Sequence, residues 1–479
     1  MNRLGREMVQ TWARLGPRFL PFADAATPDL PLSRLLRLSL FQVSVGMALV
    51  LLIGTLNRVM IVELKVPASV VSVMVALPLL FAPLRALIGF RSDIHRCELG
   101  WRRVPYIWMG TMLQFGGFAV MPFALLVLAG AGQAAHAPAW IGQLGAAIAF
   151  LLVGAGLHTT QTVGLALATD LAPPESQPKV VGLMYVMLLL GMMVSAIVFG
   201  ILLEDYSPGR LVQVIQGAAL LTLVLNVVAM WRQEPRDRNR KRSPVPDPTF
   251  RESLRAFSSG PHAVRRLLAL GLGTMAFTME DVLLEPYGGE VLGMTVSETT
   301  LLTATLALGS LVGFGLASRV LSRGADPFRM ASLGAGFGIP AFAAVILAAP
   351  LASQALFVCG TFLIGLGAGV FGHGTLTATM QSAPREQVGL ALGAWGAVQA
   401  TAAGVAMALG GVLRDMLVGA QAAGFGLVSW ADSVAGAYTT VYLLELVLMV
   451  ATIVVMAPLV RSAGRTDVNV AGLMPDRQR

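Results

Sequence analysis

GAGLHTTQTVGLALATDLAPPE, residues 154–175, and GLGAGVFGHGTLTATMQSAPRE, residues 365–386, are two copies of one pattern. Gly154 stands over Gly365, Gly156 over Gly367 and Ala172-Pro173 over Ala383-Pro384, and a Val-Gly-Leu follows each copy (Val181 to Leu183, Val388 to Leu390). A pattern repeated in both halves of a chain means that one structural unit has been used twice. Working outward, GFRSDIHRCELGWRR (89–103) has a weaker counterpart in GLASRVLSRGADPFR (315–329).

The surroundings of the repeat are apolar. Of 479 residues 56% are hydrophobic and 13% charged, and the mean hydropathy is +0.73, which describes a polytopic helical membrane protein and excludes a set of soluble domains. Crossing about 30 Å of hydrocarbon takes roughly 20 residues per helix. Stretches of that kind lie at 37–62, 68–90, 104–130, 139–171, 178–203, 210–231, 263–285, 297–322, 327–350, 353–381, 387–417 and 436–461. The expected organisation is an N-terminal arm (1–36), a six-helix half (37–231), a polar linker (232–262), a second six-helix half (263–461) and a tail (462–479).

Most of the 34 Lys and Arg fall in the arm, the even-numbered loops, the linker and the tail; Lys65, Arg210 and Arg414 fall opposite, and Arg58 lies inside a helix. By the positive-inside rule both termini are cytoplasmic. The net charge of +8 then reads as topology and attraction to anionic lipid, with no nucleic-acid partner. Leu4, Met8, Trp12 and Leu15 share one face at helical spacing among arginines, which suits a helix on the bilayer surface. Thr249 and Glu252 have capping-box spacing for a short linker helix. Cys97 and Cys359 offer no disulfide framework. No coherent set of acid, base and nucleophile and no metal-ligand spacing occurs, so no enzyme is expected.

Two related halves joined by a basic linker, with Gly89, Asp93, Gly100, Arg102 and Arg103 in the loop after the second span, resemble the major facilitator superfamily. The resemblance implies an all-α membrane protein of twelve transmembrane helices in two pseudosymmetric halves. The second half carries Arg319 where that loop's acidic residue would stand, which argues against a full transport cycle. EDVLLEPYGGEVLG (280–293), LNRVMIVEL (56–64), LPLLFAPLRALIGFRSD (77–93) and GWRRVPYIWMGTMLQFGG (100–117) are similar to the bacteriochlorophyll delivery family, the PucC- and LhaA-type light-harvesting assembly factors. The motif residues are Asp281, Glu285, Pro286, Tyr287, Gly288, Gly289 and Glu290. What the resemblance implies is an assembly factor in the bacterial inner (intracytoplasmic) membrane. It would bind bacteriochlorophyll, with carotenoid as a second pigment, and deliver it to light-harvesting antenna subunits beside the reaction centre. The long arm favours the core antenna. The rival readings are a transporter of a small organic solute or tetrapyrrole, and a scaffold for the antenna ring.

Ionised groups at a helix centre cost about 2.5–3.5 kcal/mol on insertion scales and so face a partner or a cavity. Arg58, beside Asn57 in the first span, takes the place that Glu280 and Asp281 take in the seventh, and an ion pair between them is expected, either locking the halves or gating a ligand. Glu285, Glu290 and Glu298 read as a solvated loop. His158 and His373, with Gln161 and Gln114 behind them, are the candidate ligands for the magnesium of a bound pigment; the competing reading is hydrogen-bonded packing. The glycines at 309–313 and 365–369 permit close approach, either of neighbouring helices or of a docked antenna span.

Overall fold

A computed structural model describes residues 25–471 except 28–29, 81–84, 86–87, 90, 93–94, 96–99, 131–136, 174–175, 236–261, 383–387 and 423–432. The amphipathic arm face, the linker helix at Thr249–Glu252, Asp93 and Cys97 lie outside the described residues.

The described chain is helical, as the apolar run lengths require. Eleven helices are long and apolar enough to cross a membrane, and a shorter apolar helix, Ala68–Leu79, stands at the second expected span. In chain order they are α1 (Leu32–Glu63), α2 (Ala68–Leu80), α3 (Val104–Leu128), α4 (Ala139–Leu171), α5 (Gln177–Leu202) and α6 (Pro208–Met230). The second set is α7 (Ala263–Glu290), α8 (Val296–Leu321), α9 (Pro327–Ala348), α10 (Gln354–Ser382), α11 (Val388–Ala422) and α12 (Val434–Ala471). Their ends follow local chemistry. Asp326 caps α9 by accepting from the Phe328 amide at 2.9 Å, ahead of Pro327 at the first helical position. Thr295 and Glu298 form a reciprocal capping box for α8, with the Glu298 carboxylate accepting from the Thr295 amide at 2.8 Å. Glu298 is therefore a helix cap, although the loop reading left it merely solvated.

The chain forms two compact units. The first holds residues 1–244 together with 294–307, so the opening turns of α8 belong to it; the second holds 245–293 and 308–479.

In the first unit α3 and α4 pack backbone to backbone. A Cβ on Gly156 would come within 2.5 Å of the Gly110 carbonyl oxygen, which leaves room for glycine alone. In the second unit α9 and α10 repeat the contact, where a Cβ on Gly367 would lie 2.8 Å from the Gly334 oxygen. Gly156 and Gly367 are the residues that the sequence repeat superposes, so the repeat encodes one helix-pair contact used in both units. Gly309, Gly313 and Gly369 seat α8 against α10 within the second unit, facing the backbone of Phe362, Leu366 and Ser310. Those faces are occupied by the chain itself, which removes them as docking surfaces for an antenna span.

Candidate functional site

Each unit carries its own buried polar cluster. In the first, α1 contains wide, π-type turns at Val50–Leu56 and Val59–Glu63, flanking Asn57 and Arg58. Five residues per hydrogen-bonded turn bring positions i and i+5 onto one face. Arg58 Nη1 accordingly meets Glu63 Oε1 at 2.5 Å, while Nη2 donates to the Met294 carbonyl at 3.2 Å. Within its own unit, the carboxylate that Arg58 meets is a near neighbour in its own helix, reached through the wide turn. Tyr206, in the turn after α5, feels the same pair, and its hydroxyl is pushed up by burial first and by Glu63 second.

Deeper in the first unit, Ser44 donates to Asn226 at 2.8 Å, Asn226 to Thr111 at 3.0 Å and Gln114 to Thr160 at 3.1 Å. Arg85, from the segment after α2, donates to Gln161 at 2.8 Å and to Thr162 at 3.2 Å, and Gln161 reaches Gln42 at 3.5 Å. His158 is 8% exposed, and its Nδ1 has no hydrogen-bond partner among the described residues. Of the candidate pigment ligands, Gln161 gives its oxygen to Arg85, whereas Gln114 keeps its oxygen and His158 keeps a nitrogen to give among the described residues. His373, in the second unit, is buried with its ring on Phe314, the centroids 4.2 Å apart. The register offset between the histidines in the repeat therefore corresponds to different surroundings.

The loop signature is built from more than its own residues. Arg103 Nε pairs with Asp170 at 3.0 Å and its Nη1 donates to Ser92 at 2.6 Å; Arg102 also pairs with Asp170. Glu234, just past α6, accepts from the backbone amides of Arg102, Arg103 and Val104 at 2.8–3.0 Å. These acids hold the start of α3 to the ends of α4 and α6. Gly100 takes a positive φ of 79°, the conformation for which glycine is suited.

The motif residues 281–290 organise the second unit. α7 changes course through a 3-10 turn at Glu280–Val282 before the short helix Leu284–Glu290. Tyr287 is fully buried and meets Tyr438, Tyr442 and Phe357 with ring centroids 5.3–5.4 Å apart. Glu290 takes Arg414 Nη2 at 2.5 Å and the Tyr438 hydroxyl at 2.8 Å, with Arg414 lying 5.0 Å from the centre of the Tyr438 ring. Glu285 is 2% exposed. The solvated-loop reading of Glu285 and Glu290 is therefore wrong: the motif folds inward, because its tyrosine supplies an aromatic core and Arg414 neutralises its last carboxylate.

Beside that core lies a feature that the sequence reading missed. Glu280 and Glu445 are 1% and 0% exposed, and no oxygen of either completes a hydrogen bond among the described residues. Glu445 faces the backbone of Glu280 and lies within electrostatic reach of both Glu280 and Asp281. The Tyr442 hydroxyl, also buried and without a hydrogen bond, stands next to them. The available signal was a single Glu in the apolar run YLLELVLMVATIVVM, residues 442–456.

A profile of the family described as "PUCC protein" matches residues 55–464. "Protein PucC" of Rhodovulum sulfidophilum is 66% identical over 418 residues, covering 87% of this chain and 92% of that protein. "Protein PucC" of Cereibacter sphaeroides is 59% identical over 465 residues, covering 97% and 99%. Among solved structures, a bacterial homologue of the human lysosomal transporter Spinster, in its inward-facing and unoccupied conformation, superposes with a TM-score of 0.62 at 17% identity, covering 91% of this chain and 97% of that one. That likeness shows the major facilitator fold, twelve helices in two related halves.

Proposed function

Because this chain belongs to the PucC family, we propose that it is a non-enzymatic assembly factor for photosynthetic antenna complexes. It holds bacteriochlorophyll within the bilayer, with carotenoid as a second pigment, and hands it to light-harvesting antenna polypeptides beside the reaction centre. It sits in the bacterial inner membrane with both termini cytoplasmic, in keeping with the placement of its Lys and Arg. The observation that carries the reading is the family match from residue 55 to residue 464, which runs through both units.

Among the described residues, His158 fits the magnesium of a pigment. It offers a buried imidazole whose Nδ1 lacks a partner among the described residues, a donor type that would hold the magnesium of such a pigment. Bound there, the pigment would supply light absorption, while α4 would orient the imidazole and the surrounding helices would keep water out. His373 is the second candidate, and Gln161 and Gln114 follow. Handover has to be lateral, since exposing apolar pigment surface to water costs about 25 cal/mol per Å². The faces open to such exchange are apolar and exposed, as at Trp108 and Phe123 on α3 and Ile201 on α5.

The test is deletion and complementation in a phototroph, with gentle extraction of the tagged protein. The expected result is reduced antenna with pigment synthesis intact, and recovery of the protein with antenna subunits, reaction centre and near-infrared absorption. Scoring core and peripheral antenna separately tests the preference for the core complex. Loss of the pigment itself, with antenna polypeptides accumulating normally, refutes the assembly reading. The second reading, a transporter, is favoured by the fold likeness to solute carriers and opposed by Arg319 in the second unit's loop; substrate-dependent uptake into vesicles would establish it.

A further inference from the structure

Arg85 is an arginine inside a membrane protein whose charge meets no carboxylate among the described residues of its unit. Its described partners are the neutral Gln161 and Thr162, at 2.8 and 3.2 Å. The titratable groups within its reach are Tyr185 of α5 and His158 of α4; no carboxylate among the described residues acts on it. Gln161 lies about 9 Å along the axis from the midpoint of the 33-residue α4, in the interior of a helix long enough to cross the hydrocarbon. At that depth a lone guanidinium is costly, and arginines retained there face a partner or a water-filled cavity.

Further polar groups at the same place lack partners. Gln42 is fully buried, its Oε1 lies 3.5 Å from the Gln161 amide and its own Nε2 has no acceptor. The His158 Nδ1 is likewise buried and without a hydrogen bond. Arg85 itself is partly exposed, so the cluster has an entrance at its charged end. A guanidinium, an amide N–H and an imidazole gather here, with a phenol in electrostatic reach, and no carboxylate among the described residues of the unit receives them.

We propose that Arg85, with Gln42, His158, Gln161 and Tyr185, forms a binding site for the carboxylate of a membrane-dissolved amphiphile. A neutral carbonyl would use the donors and leave the charge uncompensated; a carboxylate answers both, and guanidinium pairs with it in a bidentate manner. A phospholipid headgroup stays at the interface and cannot reach this depth, which confines the ligand to an acid on an apolar body. Two sources share that chemistry, a long-chain fatty acid and the free-acid form of the pigment. The site does not depend on His158 holding magnesium, nor on the pigment reading as a whole.

The experiment measures equilibrium binding to the full-length protein in nanodiscs, with four probes: palmitate, methyl palmitate, the free-acid pigment and its methyl ester. At least one acid is expected to bind about tenfold or more tightly than its own ester, the loss of roughly one charge-assisted hydrogen bond. Arg85→Gln erases that preference and Arg85→Lys keeps part of it. Thr162→Val, which frees the guanidinium while keeping its charge, weakens acid binding and leaves ester binding alone. Preference for palmitate alone identifies a lipid acid as the source, and for the pigment acid alone a chlorin acid; either supports the site. Equal binding of acid and ester by the wild-type protein overturns it, and that comparison stands even if Arg85→Gln fails to fold. Undiminished preference in a folded Arg85→Gln protein overturns it as well. Pigment binding with neither acid preferred over its own ester keeps the delivery function and rejects this site, so the two failures are distinguishable.

Discussion

Glu445 offers the sharpest test of how this interior is built. Its carboxyl is fully buried in an apolar helix, lies against the Glu280 backbone without a well-formed hydrogen bond, and faces Glu280 and Asp281 with no cation beside it among the described residues. A buried polar group without a partner costs about 1–3 kcal/mol, and an ionised one at a helix centre about 2.5–3.5 kcal/mol. Replacing it by methionine, of similar length and without charge, removes that penalty and little else. Glu445→Met is therefore expected to stabilise the protein by about 1–3 kcal/mol, the lower end if repacking around Tyr442 is imperfect. The assay is thermal unfolding of the purified full-length chain in detergent, with and without the substitution. A gain of this size, accompanied by loss of antenna assembly in the complemented phototroph, is the mark of a residue kept for function at the expense of stability. A loss of about 1 kcal/mol or more would refute the reasoning, because it would show that the carboxyl has a favourable partner.

Glu290 and Arg414 should behave in the opposite sense: Arg414→Met breaks a pair made at 2.5 Å and is expected to cost about 3–5 kcal/mol in the same unfolding assay, with Arg414→Met/Glu290→Met recovering much of it. Arg58→Leu leaves Glu63 at 37% exposure, free to be solvated, so its lost ion pair is worth about 0–1 kcal/mol in the same unfolding assay. Gly156→Ala and Gly367→Ala are each expected to destabilise by about 1–3 kcal/mol through overpacking, whereas Gly116→Ala, with open space around its Cβ, is tolerated; equal effects at the three positions would contradict the helix-pair contact.

The parts of this molecule that the sequence reveals are those that depend on size and apolarity. Span lengths predict helices because hydrocarbon thickness sets them, and Gly156 and Gly367 mark their close contacts because only the absence of a Cβ permits those. Charges were harder to place. Arg58 meets Glu63, five residues on, a pairing that the sequence did not suggest, since the wide turn that joins them has no pattern in the sequence. The motif at 281–290 was legible as a motif, but its direction was not: nothing local tells that Tyr287 will enter a cluster with tyrosines some 150 residues away in α12. Arg85 and Glu445 were passed over because each is a single charge in an apolar run, which is the signal that should have singled them out.

The two units differ in what they leave unpaired, and the difference bears on mechanism. Among the described residues, the first sets a cation among neutral partners at Arg85, near Gln42 and His158; the second buries carboxyls without side-chain partners at Glu280 and Glu445. Their loops differ as well. In the first unit Asp170 and Glu234 clamp Arg102 and Arg103, while Arg319, at the corresponding place in the second, sits exposed in the last turn of α8, where a positive charge suits the helix dipole and has no need of an acidic partner. A carrier that cycles by rocking two equivalent halves needs comparable latches on both. A chaperone that holds an amphiphile has no such need: one clamped unit suffices to fix a ligand, and the other is free to carry a different chemistry. Installing the acid, as Arg319→Asp, is therefore expected to leave antenna assembly unchanged in the complemented phototroph, whereas Asp170→Asn, which loosens the clamp on Arg102 and Arg103, lowers it.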